Sequence, residues 1–392
     1  MISPDKIEEW IREVEERPSS APNILRYIAR RLSDLAIRNE ELLAENIALR
    51  TDRKVEEYEN RISNLEYQVD LLKRQLGGDS IPSETPAVAG ALCLVIYNNL
   101  GQVLKLEIDA SNLVSSQEIA ALQSSQAPEG TVTRLLVASS QEELLFVFDS
   151  GRTVALPVAA LPASGPGAMD WDEAYLEEPR GGEELAALLP VAKMSLYDFC
   201  VQTSRRGYVK KIREVSFESH IASHYIGTGV RLQADKTYDV QLCHIADRLV
   251  MVSKEGFCVT LEVDRLPLTI EEALRLNPTD HITATFIMKD KPSILFVTGN
   301  GKALHREAGW LETAASYKTR GQSLISKERR LSGVRIVGAA AVDETEWGIA
   351  LRSDGTVVVH RIDELFATGT LLPGQTELSI LGFTTFSGPT TD

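Results

Sequence analysis

The chain has 392 residues, 43% of them hydrophobic, and a formal net charge of −15. That length holds two or three domains with real cores, and no apolar run reaches the ~18 residues that a membrane-spanning helix needs, so no membrane partner is expected. The charged start, MISPDKIEEW, lacks the apolar stretch of a signal peptide, and Cys93, Cys200, Cys243 and Cys258 show no metal-ligand or redox spacing. The cysteines are therefore read as small buried hydrophobes of a cytoplasmic protein.

Residues 4–17 predict a short amphipathic helix. Ser3 is a suitable N-cap, Pro4 fits the first turn, and Ile7, Trp10, Ile11 and Val14 share one face. Pro18 and the segment RPSSAP end it. A longer helix is expected from about Ile24 to Leu76. Leu25, Ile28, Leu32, Leu35, Leu42 and Leu49 repeat in heptads, with Asn39 and Asn46 at a positions. A second phase follows through Val55, Ile62, Leu65, Val69 and Leu72, with a slip around 50–54. The narrow apolar seam predicts a coiled coil over 21–76. Asparagines at a positions favour a parallel homodimer, because each bonds its symmetry mate. Residues 77–90 contain GGDSIPSETP and read as a linker.

From residue 91 one short pattern recurs six times: a strand-forming run, a turn ending in glycine, and a second alternating run. The copies are LCLVIYNNLGQVLKLEI, ELLFVFDSGRTVALPV, FCVQTSRRGYVKKI, RLVMVSKEGFCVTLEV, SILFVTGNGKALHR and WGIALRSDGTVVVHRI. Their turn glycines, Gly101, Gly151, Gly207, Gly256, Gly301 and Gly355, are 45 to 56 residues apart. A repeat of that length, all strand and no helix, predicts a propeller-like blade. The fold class is thus mainly β: a six-bladed, propeller-like disc over 91–385, preceded by an α-helical coiled coil.

The full repeat resembles the C-terminal repeats of the DNA gyrase A and topoisomerase IV A proteins. The stretches that carry the resemblance are TSRRGYVKKI, IGTGVRL, ADRLVMVSKEGFCVTLEVDRLP, SYKTRGQSLI and GIALRSDGTVVVHRIDEL. It covers 190–370 well and 91–190 weakly. The resemblance implies a β-pinwheel, whose blades exchange a strand with their neighbours, and binding of duplex DNA along the outer rim. It does not carry over the family's glutamine-arginine-arginine-glycine-glycine-lysine-glycine box. The best match, Ser223 to Gly229, keeps only the terminal glycines. A coiled coil stands where the family has its catalytic half, so strand cleavage is not expected.

Rim binding needs cations that neutralise phosphates. Residues 1–90 carry 13 basic and 18 acidic side chains, residues 91–190 carry 4 and 14, and residues 191–392 carry 24 of each. The anion-binding surface is therefore sought in the last four repeats. The candidates are Arg205, Arg206, Lys210, Lys211, Arg213, Lys302, Arg306, Lys318, Arg320, Lys327, Arg329 and Arg330. Alternation puts Lys211 and Arg213 on one face of their strand and Lys210 on the other. His220 and His224 are read as loop residues, not metal ligands. The acidic segment at 170–184, with Trp171 and Tyr175, is a candidate docking site for a protein partner. No nucleotide loop, nucleophile elbow, metal site or cofactor site is found. The expectation is a non-enzymatic, nucleoid-associated DNA-binding homodimer that bends or bridges duplex. The rival is an interaction scaffold that has lost DNA binding.

Overall fold

Every one of the six glycine turns closes an antiparallel hairpin, and the glycines all have φ between 75° and 91°. The structure is a computed structural model. It describes residues 4–43, 47, 90–121, 131–163, 182–214, 236–289, 291–374 and 377–388. The chain divides into two compact units, Met1–Leu76 and Gly77–Asp392.

In the first unit, α1 spans Pro4–Glu16 and α2 runs over 21–43, joined by a 3-10 turn at Pro18–Ser20. Pro18 has no amide hydrogen to continue α1. The Ser20 hydroxyl donates to the Arg17 carbonyl at 2.8 Å and tightens the corner. Trp10 meets Tyr27 edge-on at 5.5 Å, so α1 folds back onto α2. Along α2, Leu25, Leu32, Leu35 and Leu42 are 65%, 61%, 63% and 50% exposed. Ile28 is half-buried and Asn39 is exposed. Asn46, Leu49, Val55, Ile62, Leu65, Val69 and Leu72 lie outside the described residues, as does most of the predicted linker.

The second unit consists of six sheets among the described residues. Blade 1 is the hairpin β1 (Leu92–Asn98)–β2 (Val103–Ile108) with β4 (Thr133–Ser139); β3 (Gln117–Ala121) leaves it. Blade 2 is β5 (Glu143–Phe148)–β6 (Thr153–Pro157) with β7 (Leu185–Pro190). Blade 3 is β8 (Phe199–Ser204)–β9 (Tyr208–Arg213) with β10 (Thr237–Cys243). Blade 4 is β11 (Arg248–Ser253)–β12 (Phe257–Glu262) with β14 (Ile282–Met288), and β13 (Glu271–Glu272) leaves it. Blade 5 is β15 (Ser293–Thr298)–β16 (Ala303–Glu307) with β18 (Ile336–Val342), and β17 (Gln322–Ser323) leaves it. Blade 6 is β19 (Trp347–Arg352)–β20 (Thr356–Arg361) with β21 (Ile380–Phe386).

The strands that leave a blade join the one before it. β13 pairs with β9 of blade 3, and β17 with β12 of blade 4. β3 pairs with β20 of blade 6, so the first repeat closes the ring onto the last. Arg352 donates to Glu118 across this seam at 2.8 Å.

The turns explain the exchange. Each glycine amide bonds the carbonyl three residues back, as in Gly207 to Ser204 (3.2 Å) and Gly256 to Ser253 (2.9 Å). This is a type I turn followed by a left-handed glycine. The Ser204 hydroxyl accepts the amides of Arg206 and Tyr208, and the Ser253 hydroxyl that of Phe257. The glycine carbonyl then receives the donated segment: Ala273 on Gly207 at 2.9 Å and Leu324 on Gly256 at 2.8 Å. A Cβ at Gly207 would sit 2.4 Å from the Leu274 carbonyl oxygen, so both the φ and the close approach require glycine there.

The core lies between blades. Six apolar clusters of described residues each join two successive blades, including blade 6 to blade 1. Alternation sends Leu94 and Ile96 of β1 to the blade 6 side and Cys93, Val95 and Tyr97 to the blade 2 side. A strand buried on both faces reads as a continuous apolar run, which is what the repeats display. All four cysteines are free and buried, and burial pushes Cys243 and Cys258 up to about 12. The six strands β4, β7, β10, β14, β18 and β21 ring an axial cavity of about 740 Å³. One expectation is corrected: the repeats are not free of helix. Short helices α3 (Val191–Met194), α4 (Lys327–Leu331) and α5 (Ile362–Thr368) cross between strands.

Candidate nucleic-acid interface

β10 and β14 line the axis, so β13 and β17, at the other end of their sheets, are the outermost strands. The basic residues fall into three groups by what their charged ends touch.

The first group is consumed by the fold. Lys210 and Lys211 are only 9% and 7% exposed. The Lys211 amine donates to the carbonyls of Val263 and Asp264, both at 2.9 Å, over the Phe199 ring. Burial lowers its pKa. Lys105 of blade 1 does the same job, donating to the Ala159 carbonyl at 2.8 Å. The backbone repeats too: Lys105 N bonds the Pro162 carbonyl and Lys211 N the Pro267 carbonyl. The expectation that Lys210 and Lys211 present their charges to phosphate is therefore corrected: both sit inside the blade.

A second group is tethered at the surface. Arg206 donates to the carbonyls of Asn277, Pro278 and Asp280 at 3.2, 3.3 and 2.6 Å. Arg330 donates to the Ser323 hydroxyl and the Ile325 carbonyl and lies over Phe257. Arg306 donates to the His305 carbonyl at 2.7 Å and lies over Trp310. Arg206 and Arg330 thereby hold the 277–280 loop and the donated segment at 323–325, and Arg306 packs on the Trp310 ring.

The third group is exposed: Arg213, Lys302, Lys318, Arg320, Lys327 and Arg329, with Arg205 half-exposed. Lys318 has φ 60°, one of two non-glycine residues in the left-handed region among those described. Its amide donates to the Glu272 carbonyl at 3.0 Å, and the Arg275 amide to the Thr319 carbonyl at 2.7 Å. The segment from blade 5 thus crosses the one from blade 4 on the outer edge. Arg275, Lys318 and Arg320 come together there, all exposed. Arg275 was missed from sequence. It stands alone after Glu271 and Glu272, and only the strand exchange brings it to Lys318. Lys254 was missed as well: it is exposed in the blade 4 turn, beside His281. Burial, Arg205, Lys254 and Arg206 together push the His281 imidazole down to about 4. The blade 3 and blade 4 turns thus bring Arg205, Arg206 and Lys254 around His281, at the mouth of the axial cavity.

Blades 1 and 2 present the opposite charge. Glu107, Asp109 and Glu143 are exposed there. Arg152, in contrast, is buried against Glu183 at 2.9 Å. Ser223 to Gly229, His220, His224 and 164–181 lie outside the described residues. The description of the 170–184 docking segment is thus limited to Gly182, Glu183 and Glu184.

In sequence, the chain is 26% identical over 246 residues to the DNA gyrase A protein of Salmonella typhimurium (strain LT2), covering 62% of this chain and 28% of the relative. It is 24% identical over 249 residues to the gyrase A protein of Escherichia coli (strain K12), again 62% and 28%. The repeats are homologous to DNA gyrase A. The chain spans about 28% of the length of these gyrase proteins. No family model matches it. In fold, it matches the gyrase A C-terminal domain with a TM-score of 0.56 at 13% identity, over 75% of this chain and 99% of that domain. The C-terminal domain of DNA topoisomerase IV aligns with a TM-score of 0.48 at 17% identity, over 77% and 95%. The disc is thus a β-pinwheel of the gyrase A type, and the strand exchange is its defining connection.

Proposed function

We propose that this chain is a non-enzymatic, cytoplasmic, nucleoid-associated DNA-binding protein. It bends or bridges duplex without reading its sequence, and works as a homodimer joined through α2. The observation that carries the reading is the crossing on the outer edge, where strand exchange gathers Arg275, Lys318 and Arg320 with exposed ends. Lys327, Arg329 and Arg205 extend it along blades 3 to 5. Contacts of this kind neutralise phosphate and carry no base information. Kinship with gyrase A supports the same surface. Two discs on one stalk would raise avidity by holding the second disc near the first.

The path is a partial one. The acidic blades 1 and 2 would repel duplex, and Lys210 and Lys211 are not available to hold it. The same acidic surface favours the second reading, a scaffold whose protein partner docks at 170–184. A salt titration of DNA binding by the full chain separates them. The DNA reading expects affinity that falls steeply with salt on any duplex sequence. No binding at low salt would leave the scaffold.

A further inference from the structure

α1 carries six acidic and two basic residues, whereas the α2 stretch from 21 to 33 carries Arg26, Arg30 and Arg31 and no acid. At 13 residues, α1 is about 20 Å long and reaches to roughly residue 33 of α2. Trp10 and Val14 of α1 and Ile24 and Ile28 of α2 are half-buried, and Trp10 meets Tyr27 across the hairpin. At 3.6 residues per turn, the α2 seam of Leu25, Ile28, Leu32 and Leu35 lies less than a quarter turn from that contact. Ile11 is displaced from Trp10 and Val14 toward the same side, because α1 runs antiparallel to α2, and it is 55% exposed. One side of the hairpin therefore presents Ile11, Leu25, Leu32 and Leu35 together, uncovered among the described residues.

We propose that a second copy of the chain covers this side, so that the head of the stalk is an intermolecular four-helix bundle and not a bare two-stranded coil. This rests on the homodimer reading above. The two α2 helices meet along the seam. Each α1 lies in a groove beside it, with Ile11 against the partner's α2. Charge selects this occupant: the acidic α1 of one copy meets the arginine-rich start of the other's α2, and parallel pairing brings Asn39 onto its symmetry mate beyond the end of α1. The bundle also gives α1 a reason to be amphipathic on two adjoining edges, since its own α2 uses only one.

The test uses the full chain. Sedimentation should give a dimer, and Ile11→Glu should raise the dimer dissociation constant at least tenfold. Because that change could unfold α1, a second experiment mixes Ile11→Cys chains with Leu25→Cys chains under mild oxidation. The native cysteines are buried and do not compete. A mixed disulfide between the two engineered positions is expected. A dimer indifferent to Ile11→Glu, with no mixed disulfide, overturns the bundle while leaving the coiled-coil dimer standing. A monomeric full chain overturns both.

Discussion

Blades 1 and 3 are built from the same parts. In each, a lysine midway along the second hairpin strand, Lys105 or Lys211, turns inward and donates to carbonyls of the turn that follows the next blade's hairpin. Their outer segments differ. The strand that leaves blade 1 carries Glu118 to the closing seam, whereas those crossing beside blade 3 bring Arg275, Lys318 and Arg320 to one edge. A lysine in a blade is therefore a fold residue or a surface charge according to its place relative to the donated strand. Residue type alone does not distinguish the two.

If the fold is common to all blades, core damage should cost the same on either side of the disc. Phe148 fills the gap between blades 1 and 2, and Phe296 that between blades 4 and 5, each almost fully buried. Phe148→Ala and Phe296→Ala should each destabilise by about 3–5 kcal/mol in chemical denaturation. A much smaller loss at Phe148 would mean that the acidic blades are not packed like the rest.

The exchange itself is probed at the turns. Gly207→Ala combines a left-handed φ with a clash against backbone and should cost about 1–3 kcal/mol. Gly256→Ala shares the left-handed φ but meets the Ile325 side chain and no backbone atom, and should cost less. Equal losses would argue that the donated segment approaches both turns alike.

Lys211→Gln should lower stability by about 1–2 kcal/mol, because its charge-assisted hydrogen bonds disappear, and leave the salt dependence of DNA binding unchanged. Lys318→Gln should do the reverse. Removing one phosphate-neutralising cation lowers the salt slope by about 0.9. A changed slope in Lys211→Gln would contradict the placement of that lysine inside the blade.

A pH-dependent effect is expected at the closing seam. His360 is buried beside Ser116, with Arg352 and Glu364 nearby, and burial pushes it down to about 4. Its ordinary value is near 6.5, so the unfolded chain takes up the proton first as pH falls. The stability this histidine contributes is full above about pH 6.5 and declines as pH drops toward about 4. In His360→Gln that part of the pH dependence should be missing. Identical profiles for the two proteins would mean the imidazole titrates alike in the folded and the unfolded chain.

Much of the fold was legible because it is local. The six glycines need a left-handed φ, and the apolar runs between them are buried on both faces, so turns and strands both leave a mark in sequence. The polar residue that begins most turns, such as Ser204, Ser253 or Thr298, is an equally local signal that glycine spacing alone passes over. The surface was less legible. Arg275 and Lys318 are neighbours only through strand exchange, and the burial of Lys211 follows from a carbonyl cluster some fifty residues downstream. Alternation assigns Lys211 and Lys210 to opposite faces, but in a blade packed on both faces neither side of the strand meets solvent.

The central claim is that exposed cations of blades 3 to 5 hold duplex DNA. The direct measurement is the affinity of the full chain for duplexes of unrelated sequence, titrated with salt. It is compared with a variant carrying Arg275→Glu, Lys318→Glu, Arg320→Glu and Arg329→Glu. The account predicts equal, salt-sensitive binding to all duplexes by the parent chain, and loss of at least tenfold in affinity together with a shallower slope in the variant. Unchanged affinity at low salt in the variant would contradict it.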